Sequence, residues 1–152
     1  KKGKVGASIL GGYEKTSALV GVFGTIEGTT GKLEAGKPVQ FFNSVEAEGY
    51  GVASNKLLQH HISEYFRMAA ITGGTGATLY VLNVSEKDSF ADLINDEAVK
   101  QMVATADGQI FNIGFDFIPK ATTYVDGLNA ETLPAMKAAQ AFAAWCFDTK
   151  RP

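Results

Sequence analysis

The 152-residue chain carries 14 Lys and Arg against 16 Asp and Glu, and 45% of it is apolar. That length and composition suit one globular domain with a true core. A formal charge of −2 excludes the broad basic surface that nucleic acid requires, and Lys1, Lys2 and Lys4 read as a solvated end. A single cysteine, Cys146, excludes an internal disulfide, and no apolar run approaches the ~18 residues of a membrane span. Neither a membrane nor a nucleic acid is therefore expected as partner. Gly6–Leu10 is too short for the apolar part of a signal peptide, so the chain reads as cytoplasmic.

Residues 1–16 are rich in glycine and lysine and read as an arm or loop, and residues 17–152 as a single domain. Ser17–Thr25 is apolar and β-branched with Gly21 and Gly24 inside it, which suits a buried strand that another backbone approaches closely. Thr25–Lys37 is a polar, glycine-rich loop, and Pro38 opens a strand over Val39–Phe42. Ser44 is the expected N-cap of a short helix that Gly49 and Gly51 stop.

A longer helix is predicted from Ser54 to Ala69. Leu58, Ile62, Tyr65, Phe66 and Ala69 share one face, and Asn55, Lys56, Gln59, His60, Ser63, Glu64 and Arg67 take the other. Thr72–Gly76 turns the chain into Ala77–Val84, whose near-continuous apolar character marks a strand covered on both faces. Asp88 and Asp96 are the expected caps of two helices, one carrying Phe90, Leu93 and Ile94 and the other Val99, Met102 and Val103. Gln109–Phe117 is the next strand. A loop containing Pro119, Asp126 and Gly127 leads to a last helix from Asn129 or Thr132 to Phe147, with Pro134 in its first turn. This alternation predicts an α/β fold, with a mixed or largely parallel sheet and helices packed on its faces. The chain ends on Lys150-Arg151-Pro152 just after a helix, where another strand would normally follow. The expectation is a piece of a longer protein, or one whose missing strands come from neighbours.

The motifs that suggest chemistry are weak. Gly31-Lys32-Leu33-Glu34-Ala35-Gly36-Lys37 has P-loop spacing, but Pro38 stands where Ser or Thr must ligate magnesium, so a hairpin-like loop is expected. Gly73-Gly74-Thr75-Gly76 precedes a strand instead of opening a helix, which removes the dinucleotide reading. His60 and Glu64, four apart, could supply two metal ligands, but no third is evident, so a solvent-side pairing of the two is expected, with His61 bordering the core. Cys146, on a face with Ala139 and Phe142, reads as a small buried hydrophobe. Ser8, Ser17 and Ser44 lack the setting of a hydrolase nucleophile. Asp116 closes a buried strand, at the end of a sheet where α/β sites form, and Asp88 and Asp126 could converge on it. Loop capping is the competing role for Asp116. No catalytic residue, cofactor or metal site is assigned.

Several segments in order resemble the start of a contractile phage tail-sheath protein. They are the small-residue strand Ser17–Thr25, the strand Lys37–Ser44 with its following Val45-Glu46-Ala47 and Gly49-Tyr50-Gly51, the helix His60–Arg67, the Gly73-Gly74 turn and the strand Ala77–Val84. The likeness continues through Asp116 and the last helix. The resemblance implies a structural, non-enzymatic subunit without cofactor that stacks in helical rings around a tail tube. Its partners would be neighbouring sheath subunits, linked by terminal arms, and the tail tube protein. Its place would be the cytoplasm before assembly and a virion tail or prophage-derived particle afterwards. Gln59, His60, Ser63, Glu64 and Arg67 then become a candidate subunit-contact face. A different tail, secretion-tube or adaptor component is a related expectation, and a small-molecule- or metal-binding domain with a site near Asp116 is the alternative.

Overall fold

The computed structural model describes residues 16–71, 76–106 and 109–149. Four strands form one sheet: β1 (Thr16–Gly21), β2 (Pro38–Phe41), β3 (Thr78–Asn83) and β4 (Asn112–Asp116), in the spatial order β2-β3-β1-β4. β1 lies parallel to both β3 and β4, and β2 runs antiparallel to β3. The fold is α/β with a mostly parallel sheet, as the sequence predicts. Thr16 belongs to β1, not to the arm, and the rest of the expected arm lies outside the described residues.

Alternation along the strands divides the core in two. On the first face Leu79 and Val81 of β3 and Phe41 of β2 meet Phe23, Ile26 and Leu33 from the loop. They are covered by α1 (Ser44–Gly49), a 3₁₀ turn at Val52–Ser54, and α2 (Lys56–Ile71), which buries Leu58 and Ile62. On the second face Ala18, Val20, Leu82 and Val84 pack against α3 (Phe90–Ile94) and α4 (Glu97–Thr105), through Leu93, Val99 and Met102. The last helix, α5 (Thr132–Asp148), packs on α3, burying Ala135 and Ala138 beside Ile94.

Local chemistry sets the helix starts, and moves two caps by one residue. Asn43 caps α1: its side chain accepts from the Glu46 amide at 2.9 Å, while the Glu46 carboxylate accepts from the Phe42 amide. The cap at Asn43, closed by the Glu46 carboxylate reaching back one residue further, leaves Ser44 as the first helical residue. Ser89, not Asp88, caps α3 by accepting from the Asp92 amide, whereas Asp96 caps α4 as expected. Asn55 caps α2, its side chain accepting from the Leu58 amide, so the helix starts at Lys56.

The predicted hairpin-like loop is present. Gly28 donates to the Gly31 carbonyl, Leu33 to Ile26, and Glu27 pairs with Lys32. Lys32 and Lys37 both pair with Glu34, whose carboxyl is held below its ordinary range chiefly by its hydrogen bond to Lys37. No lysine of this loop is left pointing at a phosphate.

The expected loop before the last helix contains a further element. β5 (Tyr124–Val125) and β6 (Leu128–Asn129) form a two-stranded hairpin. Asp126 and Gly127 at its tip take φ of 50° and 81°, the paired positive values of a type I′ turn. An Asp-Gly pair is the strongest short hairpin signal a sequence offers, and its apolar flanks Tyr124, Val125 and Leu128 completed the pattern.

Candidate functional site

The carboxyl ends of β1, β3 and β4 meet at one edge of the sheet. Gly21 of β1 stands opposite Asn83 on one side and Asp116 on the other. Because β3 and β4 flank β1, this is the point where the strand order reverses, the usual place for a crevice in an open α/β sheet. A pocket of about 420 Å³ opens there, walled by Val22, Phe23, Leu57 and Phe117, with Asp116, Glu86, Lys120 and Asn55 supplying its polar groups.

Most of these polar groups already have partners. Asn83 is 4% exposed, and its side chain accepts from the Phe23 amide at 3.0 Å and donates to the Gly24 and Leu33 carbonyls at 2.8 and 3.0 Å. It pins the loop leaving β1. Asn55 donates to the Phe23 carbonyl, joining the start of α2 to the same loop. Lys120 pairs with Glu86 at 2.6 Å, and that hydrogen bond, reinforced by the charges of Glu86, Asp88 and Glu131, raises its pKa.

Asp116 keeps 22% of its side chain exposed and faces His61, whose Nε2 lies 3.9 Å from its Oδ2. Thus His61 does not border the core as expected; it reaches across the sheet end toward Asp116. Asp88 contributes only its charge near Lys120, and Asp126 is held in the hairpin turn outside the pocket wall. The convergence of Asp88 and Asp126 on Asp116 that the sequence left open is not formed. Among the described residues no group of three or more His, Cys, Asp or Glu is placed to hold a metal ion.

The exposed side of α2 is arranged differently from its sequence reading. His60 is exposed, but Glu64 pairs with Arg67 in a bidentate fork at 2.7–3.0 Å. That hydrogen bond holds the Glu64 carboxyl below its ordinary range, with His60 adding only a small Coulombic share. Gln59, His60, Ser63, Glu64 and Arg67 all retain solvent contact, so the face is open. No protein-family model, curated protein or solved structure matches the chain. No helix among the described residues is long and apolar enough to cross a membrane.

A second region escaped the sequence reading. The strand that Asp116 closes was expected to be buried, but β4 lies at the sheet edge with only Ile113, Phe115 and Asp116 partly buried. An apolar groove of about 490 Å³ runs between β4 and the end of α5, lined by Ile113, Phe115, Phe142 and Phe147. Another, about 350 Å³, shares the Phe115 wall and passes along the start of α5 to Met136. Cys146, expected to be buried, is partly exposed and lines the first groove. The available signal was the alternation of Asn112, Gly114 and Asp116 with Phe111, Ile113, Phe115 and Phe117, a one-sided pattern unlike that of the central strands.

Proposed function

We propose that this chain is a structural subunit, or part of one, of a contractile phage tail sheath or a related injection-device sheath, polymerising around a tail tube. The observation that supports the reading is the surface between Phe111 and Phe147. Phe111, Ile118, Tyr124, Val125, Leu128, Leu133, Met136 and Phe147 are each more than half exposed. Isolated apolar side chains are ordinary on protein surfaces, but Phe111, Phe147 and Met136 line two apolar grooves next to a strand edge that is unpaired among the described residues, the kind of surface that packs against others. The α2 face with Gln59, His60, Ser63, Glu64 and Arg67 is a second candidate contact, polar and charged in the manner of an interface rim. In this reading the protein is not an enzyme, takes no cofactor, and has neighbouring subunits and a tube protein as partners. It is made in the cytoplasm and ends in a virion tail or prophage-derived particle. Electron microscopy of the full-length product should reveal rings or helical tubes; a clean monomer at high concentration, alone and with a tube protein, counts against it.

The position of the pocket at Asp116 favours a second reading, a small-molecule-binding α/β domain. A nucleotide and small-amine panel should then raise the melting temperature of the chain, and Asp116→Ala should remove the shift. An unchanged melting temperature across the panel eliminates it.

A further inference from the structure

The two edges of the sheet are not equally protected. β2 is four residues long and starts on Pro38, which offers no donor, two common ways of blunting an edge. β4 has five residues, contains neither proline nor lysine, and pairs with no strand on its outer side among the described residues. Its outward groups can be named. The Val84 amide donates to the Gly21 carbonyl, so Gly21 and the other odd-numbered residues of β1 turn their backbone groups to β3. Ala18 and Val20 turn theirs to β4, where the register sets them against Asn112, Gly114 and Asp116. Ile113 and Phe115 therefore present theirs to the free edge.

Gly114 adds an independent observation. A methyl group built there would meet only Leu19 and the Ala18 carbonyl, at ordinary contact distances of 3.7 and 3.8 Å, and its φ is not positive. Nothing within its own fold requires a glycine, although glycine weakens a strand interior. Glycine at such a position suits close approach by another backbone.

We propose that the β4 edge pairs with the β4 edge of a second copy of this chain, antiparallel about a two-fold axis through Gly114. This register is self-complementary, as a two-fold interface must be. Gly114 meets Gly114 in a non-hydrogen-bonded pair, where backbones come closest. Ile113 and Phe115 exchange backbone bonds twice, and Asn112 stands opposite Asp116 twice, amide against carboxylate, with no like charges opposed. On the other face Ile113 stands opposite Phe115, an aliphatic–aromatic pair of the kind that stabilises sheets, and the adjoining groove is apolar. Every outward donor and acceptor of β4 is used, and the two sheets become one of eight strands.

The pair goes beyond the sheath reading and does not depend on it. A two-fold pair is closed, whereas a tube needs head-to-tail contacts, so the pair belongs to the unassembled chain and masks its open edge.

Sedimentation of the 152-residue chain across a range of concentrations should give a monomer–dimer equilibrium. Asn112→Asp, which sets two carboxylates opposite Asp116, should weaken it roughly tenfold. Combining it with Asp116→Asn, which restores an amide–carboxylate pair in reversed order, should recover the dimer. In a Cys146→Ser background, Gly114→Cys should form a disulfide between copies under mild oxidation. Ile113→Pro, which removes an outward donor, should leave a folded monomer by circular dichroism; if it unfolds, the Asn112 and Asp116 pair of variants decides. A chain that stays monomeric, or a dimer indifferent to Asn112→Asp with no disulfide at position 114, overturns the proposal. Tubes from the full-length product alongside a monomeric chain would sink the pair and leave the sheath reading standing.

Discussion

β1 and β4 run side by side, parallel and in register, yet they live in different surroundings. Five of the six residues of β1 are buried, whereas no residue of β4 is. Position explains the difference. β1 has a strand on each side and helices over both faces, and β4, among the described residues, has a strand on one side only, with Asn112 and Gly114 exposed. The region around β1 is thus built to be stable, and the region around β4 is built with surface to spare. Free energy should divide the same way.

The sharpest test sets a residue of each region against the other. Leu58, fully buried under α2 against the first face, should lose about 2–5 kcal/mol of stability on truncation to alanine, measured by urea unfolding. Phe147, 83% exposed on α5, should change stability by no more than about 0.5 kcal/mol when replaced by serine. If Phe147→Ser proves as costly as Leu58→Ala, the aromatic is part of the core and the contrast fails.

Asn83 marks the same contrast in polar terms. It ties the end of β3 to both ends of the loop after β1, and Asn83→Ala should leave buried groups unpaired at a cost of about 1–3 kcal/mol. Amide exchange should speed up at Phe23, the residue whose N–H loses its acceptor. Unchanged exchange there means that the loop is held by other contacts.

Two glycines extend the comparison. Gly51 has φ of 84°, and a methyl group there would sit 2.2 Å from the Glu27 carbonyl oxygen, so Gly51→Ala should cost at least ~1 kcal/mol. Gly114→Ala on β4 meets only ordinary contacts and should be neutral, or stabilise the monomer by up to about 1 kcal/mol. Thermal unfolding at a concentration low enough to keep the chain monomeric measures both. Equal losses would mean that Gly114 serves its own fold after all.

Much of the fold was legible in the sequence because its central elements obey simple periods. The three-and-four spacing of Leu58, Ile62, Tyr65 and Phe66, and the unbroken apolar run around Leu79 to Leu82, each admit one reading. The strand order was not legible, because the alternation in β4 marks a strand with one open face but does not say which strands lie beside it. The caps slipped by one residue where two capping residues stand together, as in Asn43-Ser44 and Asp88-Ser89, and only backbone geometry chooses between them. At the site, Asp116 was legible from its place at a strand end. Its neighbour His61 was not, since helix spacing shows which residues share a face but not what that face overlooks.

The smallest expected effect concerns how the two regions are tied together. On the β1 side the polar hub is the buried amide of Asn83, which does not titrate. On the β4 side it is the carboxylate of Glu131, which accepts from the backbone amides of Lys120 and Ala121 at 2.7 Å and from Phe90 at 3.0 Å. Those bonds, the one from Ala121 foremost, hold its pKa below the ordinary glutamate value of 4.5. A carboxyl with a lowered folded pKa contributes stability that is complete above its unfolded value and fades as pH falls through the folded one. Glu131→Gln should therefore destabilise the chain by a constant amount at neutral pH, and the gap to the parent should narrow progressively below about pH 4.5. Amide exchange at Lys120 and Ala121 should rise over the same range while Phe23, held by Asn83, stays protected. If Phe23 and Ala121 lose protection together as the acid is added, the two regions open as one unit, and the division drawn between β1 and β4 is one of exposure but not of cooperativity.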